Sequence, residues 1–242
     1  MDVWRLITTW GARPAFNMGL DEALLESAGA PPTLRFYTWN PETLSLGYFQ
    51  RCADVPAVEH ARSVVRRMTG GGAIHHAGEL TFSIAAPLDH PLYRGTIADS
   101  YRRVHGAIAA ALAEYGVQAG LRGERALASD RAGTGMCFHR STPLDLTWDG
   151  RKGVGSAQRR RGGRVLHHGS IKIRASPLED EVATLDRQGA GVTPEGFAGT
   201  LRPVLERELG IEIATGVPDA FERGRAAKLG TRYVDPQFIR RR

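Results

Sequence analysis

Lysine is almost absent from this chain. Among 242 residues there are three, Lys152, Lys172 and Lys228, which together with the arginines make up 32 basic residues. A protein that meets nearly every need for positive charge with arginine keeps lysine where arginine would not serve. An amine is a compact donor, can lose its proton and can act on a neighbouring nucleophile, whereas a guanidinium stays charged. Lys152 is on that ground the first candidate for chemistry; the alternative is a surface lysine in a hairpin turn, since Asp149-Gly150-Arg151-Lys152 reads as one. Cysteine is scarcer still, at two residues. Two thiols cannot build a disulfide framework, and without a Cys-x-x-Cys or Cys/His spacing they argue against a structural zinc. Long apolar runs are missing too. None approaches the ~18 residues of a membrane span, and the N-terminus lacks a charged-then-apolar signal pattern. A cytoplasmic protein with no membrane partner is expected. Internal repeats and low-complexity segments are likewise not seen.

What is present is ordinary for a globular protein: 42% hydrophobic and 24% charged residues, in a length that supports one substantial core. The net charge of +6 and the pI near 9.7 favour anionic partners. The excess is local, in Arg159 to Arg161 and Arg240 to Arg242. No nucleic-acid module accompanies it, so an acidic protein surface fits about as well and a nucleic-acid partner is not expected.

Periodicity places the elements. Val3 to Thr9 reads as a strand, and Pro14 opens a helix with Phe16, Leu20, Ala23 and Leu24 on one face and Asn17, Asp21 and Glu22 on the other side. Strands are expected over Thr33 to Trp39, Leu44 to Phe49, Ser63 to Met68 and Leu80 to Ala86, with a short helix over Pro56 to Arg62. The clearest helix runs from Ile97 to Tyr115. Asp145 to Trp148, Gly153 to Arg160 and Arg164 to Arg174 suggest three antiparallel strands. Thr193 caps a further helix in which Pro203 implies a kink or an early end, and Pro218 to Leu229 suggests a last one. Mixing without strict alternation favours an α+β fold with an antiparallel or mixed sheet.

Arg66, Arg67, Thr69 and the run Gly70-Gly71-Gly72 form the densest signal of the first half. Successive glycines let backbone amides approach a ligand, and amides with arginines suit a phosphate, carboxylate or polarised carbonyl; the alternative is a plain flexible turn. No Gly-Lys-Ser/Thr follows, which excludes a Walker loop. The pairs His75-His76 and His167-His168 invite a metal site, but neighbours on a strand face opposite ways, so each pair offers about one ligand to any point. No metal is expected, and one histidine of each pair is the better candidate for a hydrogen bond to substrate or loop. Cys137 lies in the glycine-rich stretch from Ala132, fifteen residues before Lys152. A thiol works as a nucleophile in its thiolate form, which a nearby ammonium favours, and it suits exchange with thioesters. An inert buried thiol is the alternative there, and the expected reading for Cys52.

These segments together resemble the biotin/lipoate ligase and octanoyltransferase superfamily, and within it the cysteine-dependent octanoyltransferases of lipoate assembly. The resemblance rests on Asp21-Glu22-Ala23-Leu24-Leu25, Leu34-Arg35-Phe36-Tyr37, Arg66-Arg67, Thr69-Gly70-Gly71, Ala73, His76, Gly78-Glu79-Leu80-Thr81, Gly150-Arg151-Lys152, Gly155-Ser156-Ala157-Gln158 and His168-Gly169-Ser170, with Cys137 at the matching separation from the lysine. It covers roughly residues 4 to 175. Gly72 stands where the transferase branch often carries arginine. The resemblance implies a catalytic domain over 1–192 with residues 193–242 as a small helical C-terminal portion of the same domain. It implies octanoyl transfer from an acyl carrier protein to a lysine of a lipoyl-accepting protein, such as the glycine cleavage H protein or an E2 lipoyl domain. In that reading Cys137 carries the acyl group and Lys152 assists it, while Arg66, Gly70, Gly71, Gly72, Ala73, His76, Gly155, Ser156, Ala157 and His168 bind substrate. That route needs no cofactor. The second reading is an ATP- and magnesium-dependent lipoate-protein ligase working through lipoyl-AMP; a third is a binding module without turnover. A DNA-binding regulator lacks support, because no helix-turn-helix pattern is read before Trp4.

Overall fold

Period-two patterning puts alternate side chains on opposite faces of a strand, and the chain uses it to build two sheets. They are seen here in a computed structural model in which residues 2–189 and 191–241 are described; Arg242, the last of the terminal arginines, lies outside the described residues. The order is β1 (Asp2–Ala12), α1 (Pro14–Glu26), β2 (Thr33–Trp39), β3 (Thr43–Leu46), β4 (Val64–Arg66), β5 (Ile74–His76), β6 (Glu79–Pro87) and α2 (Ile97–Ala113). There follow β7 (Gly120–Leu121), β8 (Leu146–Trp148), β9 (Arg151–Arg161), β10 (Arg164–Lys172), α3 (Pro194–Leu209), β11 (Ile211–Thr215), α4 (Ala220–Tyr233) and α5 (Pro236–Arg240). Among the described residues the large sheet has the order β11-β1-β2-β6-β10-β9-β8-β7, and the small one β4-β3-β5. Strand β1 runs parallel to β2 and β11, while β2, β6, β10, β9 and β8 pair antiparallel in turn. The fold is α+β with a mixed sheet, as expected.

Helices cover both faces. On one, α2 and α3 bury Val104, Ile108, Leu112, Leu201 and Val204 against Phe36, Phe82 and Val154. On the other, α1 and α4 pack Leu20, Leu24 and Tyr233 against Tyr37 and Leu166. The polar side of α1 is buried as well. Arg35 donates to Asp21 Oδ1 at 2.7 Å, and Tyr233 donates to Glu22 Oε2 at 2.8 Å, so α1 is enclosed all round.

Three local differences from the sequence reading have physical causes. Strand β3 stops at Leu46 because the chain turns there, with Gly47 N–H donating to the Gln50 side chain at 2.9 Å. Helix α3 runs unbroken through Pro203; burial of Phe197, Leu201, Val204 and Leu205 around it outweighs the ~3 kcal/mol that an interior proline costs. After it, β11 adds a strand at the edge of the large sheet that no alternation of useful length had marked.

One irregularity matters for function. Leu146 pairs with Val154 and Thr147 with Lys152, so Gly153 is an extra residue in β9. Such a bulge reverses which face the following side chains take. Val154 enters the core under α2, and Lys152 is turned to the opposite face.

Candidate active site

Cys137 sits on a loop with no strand of its own, and the loop is held by Ala73. The Ala73 N–H donates to Gly135 O at 2.9 Å, and the Cys137 N–H donates to Ala73 O at 2.7 Å. A β carbon on Gly72 would stand 2.7 Å from Cys137 N and 2.8 Å from its Cα. The glycine at 72 therefore lets the thiol-bearing loop lie directly against it.

Lys152 approaches from β9 and is 1% exposed. Its Nζ donates to Asp145 Oδ2 at 2.8 Å and to Cys137 O at 3.0 Å, and lies 3.4 Å from Cys137 Sγ. Those three directions account for all three N–H bonds of an ammonium. Burial alone would push its pKa down, but the adjacent Cys137 and Asp145 side chains outweigh it and hold the group above the ordinary lysine value. Lys152 is thus a charged group in a dry setting, beside a sulfur.

A cleft opens beside this pair. Its floor crosses the large sheet strand by strand: Gly155, Ser156 and Ala157 from β9, His168, Gly169 and Ser170 from β10, Thr81 from β6, then Tyr37 and Trp39 from β2. Met18 of α1 also lines it, and Arg67, Gly70, Gly71, Ile74 and His76 form the wall on the side of the small sheet. Cys137 is part of the lining as well.

One member of each histidine pair faces the cleft. His76 stacks on Trp39 at 4.1 Å between ring centroids, with Nδ1 2.5 Å from Glu79 Oε1 and Nε2 2.8 Å from Ser45 Oγ. His168 places Nε2 2.6 Å from Thr69 Oγ1. Their neighbours point elsewhere, His75 to Ser176 at 2.8 Å and His167 to Ser156 at 2.9 Å. Behind His76, the Lys172 ammonium lies 2.7 Å from both Glu79 and Glu179. Glu179 also accepts from Phe138 N–H at 3.4 Å, immediately after Cys137. Among the described residues no group of three or more His, Cys, Asp or Glu side chains is placed to hold a metal ion.

Of the residues expected at the site, Gly70, Gly71, His76, Gly155, Ala157 and His168 line the cleft together with Cys137; Ser156 borders it too, but its hydroxyl is turned to the other face of β9, toward His105 and His167. Lys152 reaches it through the thiol. Gly72 and Ala73 support the thiol loop instead of lining the cleft. Arg66 is the clear departure. Neighbouring residues at the end of a strand face opposite ways, and Arg67 is the one that faces the cleft, donating to Gly70 O at 2.8 Å and Gly72 O at 2.7 Å. Arg66 is turned away and donates to Gly47 O at 2.8 Å, Gln50 O at 2.7 Å and Ile239 O at 3.0 Å. Asp145, read in the sequence only as the start of a strand, is a member of the site that was not expected there. The available signal was physical: a buried ammonium requires a carboxylate, and Asp145 stands at the head of the strand that pairs with β9.

The family model for the lipoyl protein ligase A/B catalytic domain matches residues 13–195. The chain belongs to that family. Within reach of the family it is similar to octanoyltransferase LipM of Moorella thermoacetica, at 36% identity over 100% of this chain and 99% of that protein. It is also similar to octanoyltransferase LipM of Halalkalibacterium halodurans, at 35% identity over 95% of this chain and 89% of that one. In three dimensions it superposes on the bipartite lipoate protein ligase of Thermoplasma acidophilum with a TM-score of 0.76 and 21% identity, covering 99% of this chain and 96% of that one. At that identity the likeness bears on the fold. It places the lipoyl ligase architecture under the cleft described above.

Proposed function

We infer that this protein is an octanoyltransferase that moves an octanoyl group from acyl carrier protein to a lysine of a lipoyl-accepting protein, holding it in transit as a thioester on Cys137. The observation that carries this reading is the buried Asp145–Lys152 pair set against Cys137 at one end of an apolar cleft. Likeness to LipM octanoyltransferases along the whole chain supports the same reaction.

The first step is an exchange of sulfur for sulfur. The Cys137 thiolate attacks the carbonyl carbon of the carrier thioester, and the carrier thiolate leaves and takes up the proton that Cys137 released. In the second step the uncharged amine of the acceptor lysine attacks the new thioester, Cys137 departs as thiolate, and the amine gives up its proton as the amide forms. Lys152 serves both steps by stabilising negative charge. The longest of its three contacts is the one to Sγ, and a thioester sulfur accepts poorly. Acylation therefore frees one N–H to turn toward the acyl carbonyl, where negative charge develops in the second step.

The size of the cleft suits the acyl group. Gly155 and Tyr37 are separated by three inter-strand steps, about 14 Å of sheet at about 4.8 Å each. An extended octanoyl chain, a zigzag of C–C bonds of about 1.5 Å, is roughly 9 Å long. From the thiol over β9 it crosses β10 and reaches β6, with its end directed toward Tyr37 and Trp39 on β2.

The acceptor is a lipoyl domain, in a glycine cleavage H protein or an E2 subunit, and the route uses no cofactor. The ligase route would require ATP and magnesium. The two are separated by incubating the protein with octanoyl carrier protein in the absence of ATP and weighing it intact. A gain of one octanoyl group that disappears in Cys137→Ser is expected. An adduct that survives that substitution, or pyrophosphate exchange into ATP driven by free lipoate, would overturn the thiol route.

A further inference from the structure

On the face of β9 turned toward α2, a line of polar side chains runs through otherwise apolar packing. It includes His105 and His167, both wholly buried. Each bond in the line fixes the direction of the next. The Leu144 carbonyl can only accept, so His105 Nδ1, 2.6 Å away, carries the proton. That leaves Nε2 of the neutral ring as an acceptor, and it receives the hydroxyl proton of Ser156 at 2.8 Å. The Ser156 oxygen in turn accepts from His167 Nε2–H at 2.9 Å. His167 Nδ1 is then the acceptor for the Gln158 side-chain amide at 3.2 Å, which also donates to Ser100 at 2.8 Å. Burial holds both rings below the ordinary histidine value, which suits the neutral forms this line requires.

Such a line is costly to place in a core, because any member left unpaired loses its hydration without compensation. Apolar residues of similar volume would fill the same space. The first bond shows what the line secures. Leu144 precedes Asp145, whose own backbone is held within its loop by Thr142 and Arg122. The His105 bond ties that loop to α2, and through Ser156 to the strand that carries Lys152.

We propose that His105 is a positioning residue for the acyl transfer, because by holding the Leu144 carbonyl it sets where Asp145 presents its carboxylate and hence where Lys152 stands over Cys137. The inference rests on the thiol and amine roles given above.

Two substitutions separate the bonds of the ring. His105→Asn keeps an N–H near the Nδ1 position, and His105→Gln reaches only toward the Nε2 position. The readout is the rate of Cys137 alkylation by iodoacetamide against pH, followed on the Cys137 peptide by mass, alongside single-turnover octanoyl transfer. His105→Asn should stay within about threefold of the parent in both. His105→Gln should lose tenfold or more at neutral pH, with the alkylation profile displaced upward by about one pH unit. Equal behaviour of the two variants, or an unmoved profile in His105→Gln, overturns the inference. Lys152→Ala tells the two levels apart: if it displaces the profile and His105→Gln does not, only the role of His105 falls. If Lys152→Ala displaces nothing, the thiol–amine reading fails and the role of His105 fails with it. Should His105→Gln not fold, nitrogen NMR of the unaltered protein decides the matter. A proton on Nδ1 of His105 and on Nε2 of His167 is expected, and the reverse tautomer at either ring overturns the proposal.

Discussion

Lys152 lies across Gly155. A β carbon at position 155 would stand 2.8 Å from Lys152 Cε and 3.0 Å from its Nζ, so the ammonium reaches Cys137 over a residue that must have no side chain. The bulge at Gly153 turns the lysine to this face, and Gly155 leaves it room to lie flat. Gly155→Ala should therefore displace the ammonium while leaving the strand intact. Misplacement by about 1 Å lowers rates on the order of a hundredfold. Octanoyl transfer rates, compared with circular dichroism to show the retained fold, check this.

Asp145→Asn removes the carboxylate from a buried ammonium. Breaking such a pair by deleting one partner costs about 3–5 kcal/mol, and the urea midpoint should fall accordingly. The double variant Asp145→Asn, Lys152→Met removes the stranded charge. It should recover most of the stability and none of the transfer activity. Denaturation curves of the two variants, with transfer assays, decide between this outcome and simple additivity.

Met18 of α1 lines the cleft together with Tyr37 and Trp39 and is 3% exposed. On the proposed route, Met18→Trp fills space that the last carbons of the octanoyl chain would occupy. The preference for octanoyl over hexanoyl carrier protein should drop by about tenfold or more, an amount comparable to burying two methylenes at about 0.8 kcal/mol each. A competition assay with equal amounts of both donors reads the ratio directly.

Stability should fall with acid in a defined window. Burial, together with the charges of Lys172 and His76, pushes His75 down to about 4, and His76, His105 and His167 are also lowered, chiefly by burial. In the unfolded chain these groups titrate near 6.5. Below that pH the unfolded state binds more protons than the folded one, so the stabilisation present above about pH 6.5 is lost progressively toward pH 4. The Glu79 carboxylate is held below its ordinary range, against burial, by Lys172 and His76. It adds a further loss only below about pH 4.3. Urea midpoints at pH 7.5, 6, 5 and 4 should decline throughout this range, and His75→Gln should make the decline shallower.

Elements whose signal is local were legible in the sequence. Strand β1, helices α1 and α2 and the β8–β9–β10 meander follow from alternation, three-to-four spacing and turn residues. The scarcity of lysine singled out Lys152, and the structure brings it to Cys137. What escaped depends on partners distant in sequence. Asn17, Asp21 and Glu22 read as the polar side of α1, yet they are buried because Arg35 and Tyr233 arrive to meet them. The choice between Arg66 and Arg67 depends on the phase of a three-residue strand, too short for alternation to fix it. Asp145 carries no mark at all until β8 is laid beside β9. Pro203 argued for a break in α3, and only the apolar surface waiting on α2 shows why the helix continues.

Arg66 ties the turn at Gly47 and Gln50 to the carbonyls of Phe238 and Ile239, more than 170 positions further along the chain. As the polypeptide leaves the ribosome, the thiol of Cys137 emerges a full hundred residues before that clasp can close. The turn that Arg66 fastens beside the small sheet is thus among the last parts of the molecule to be secured, well after the loop of Cys137 has been made.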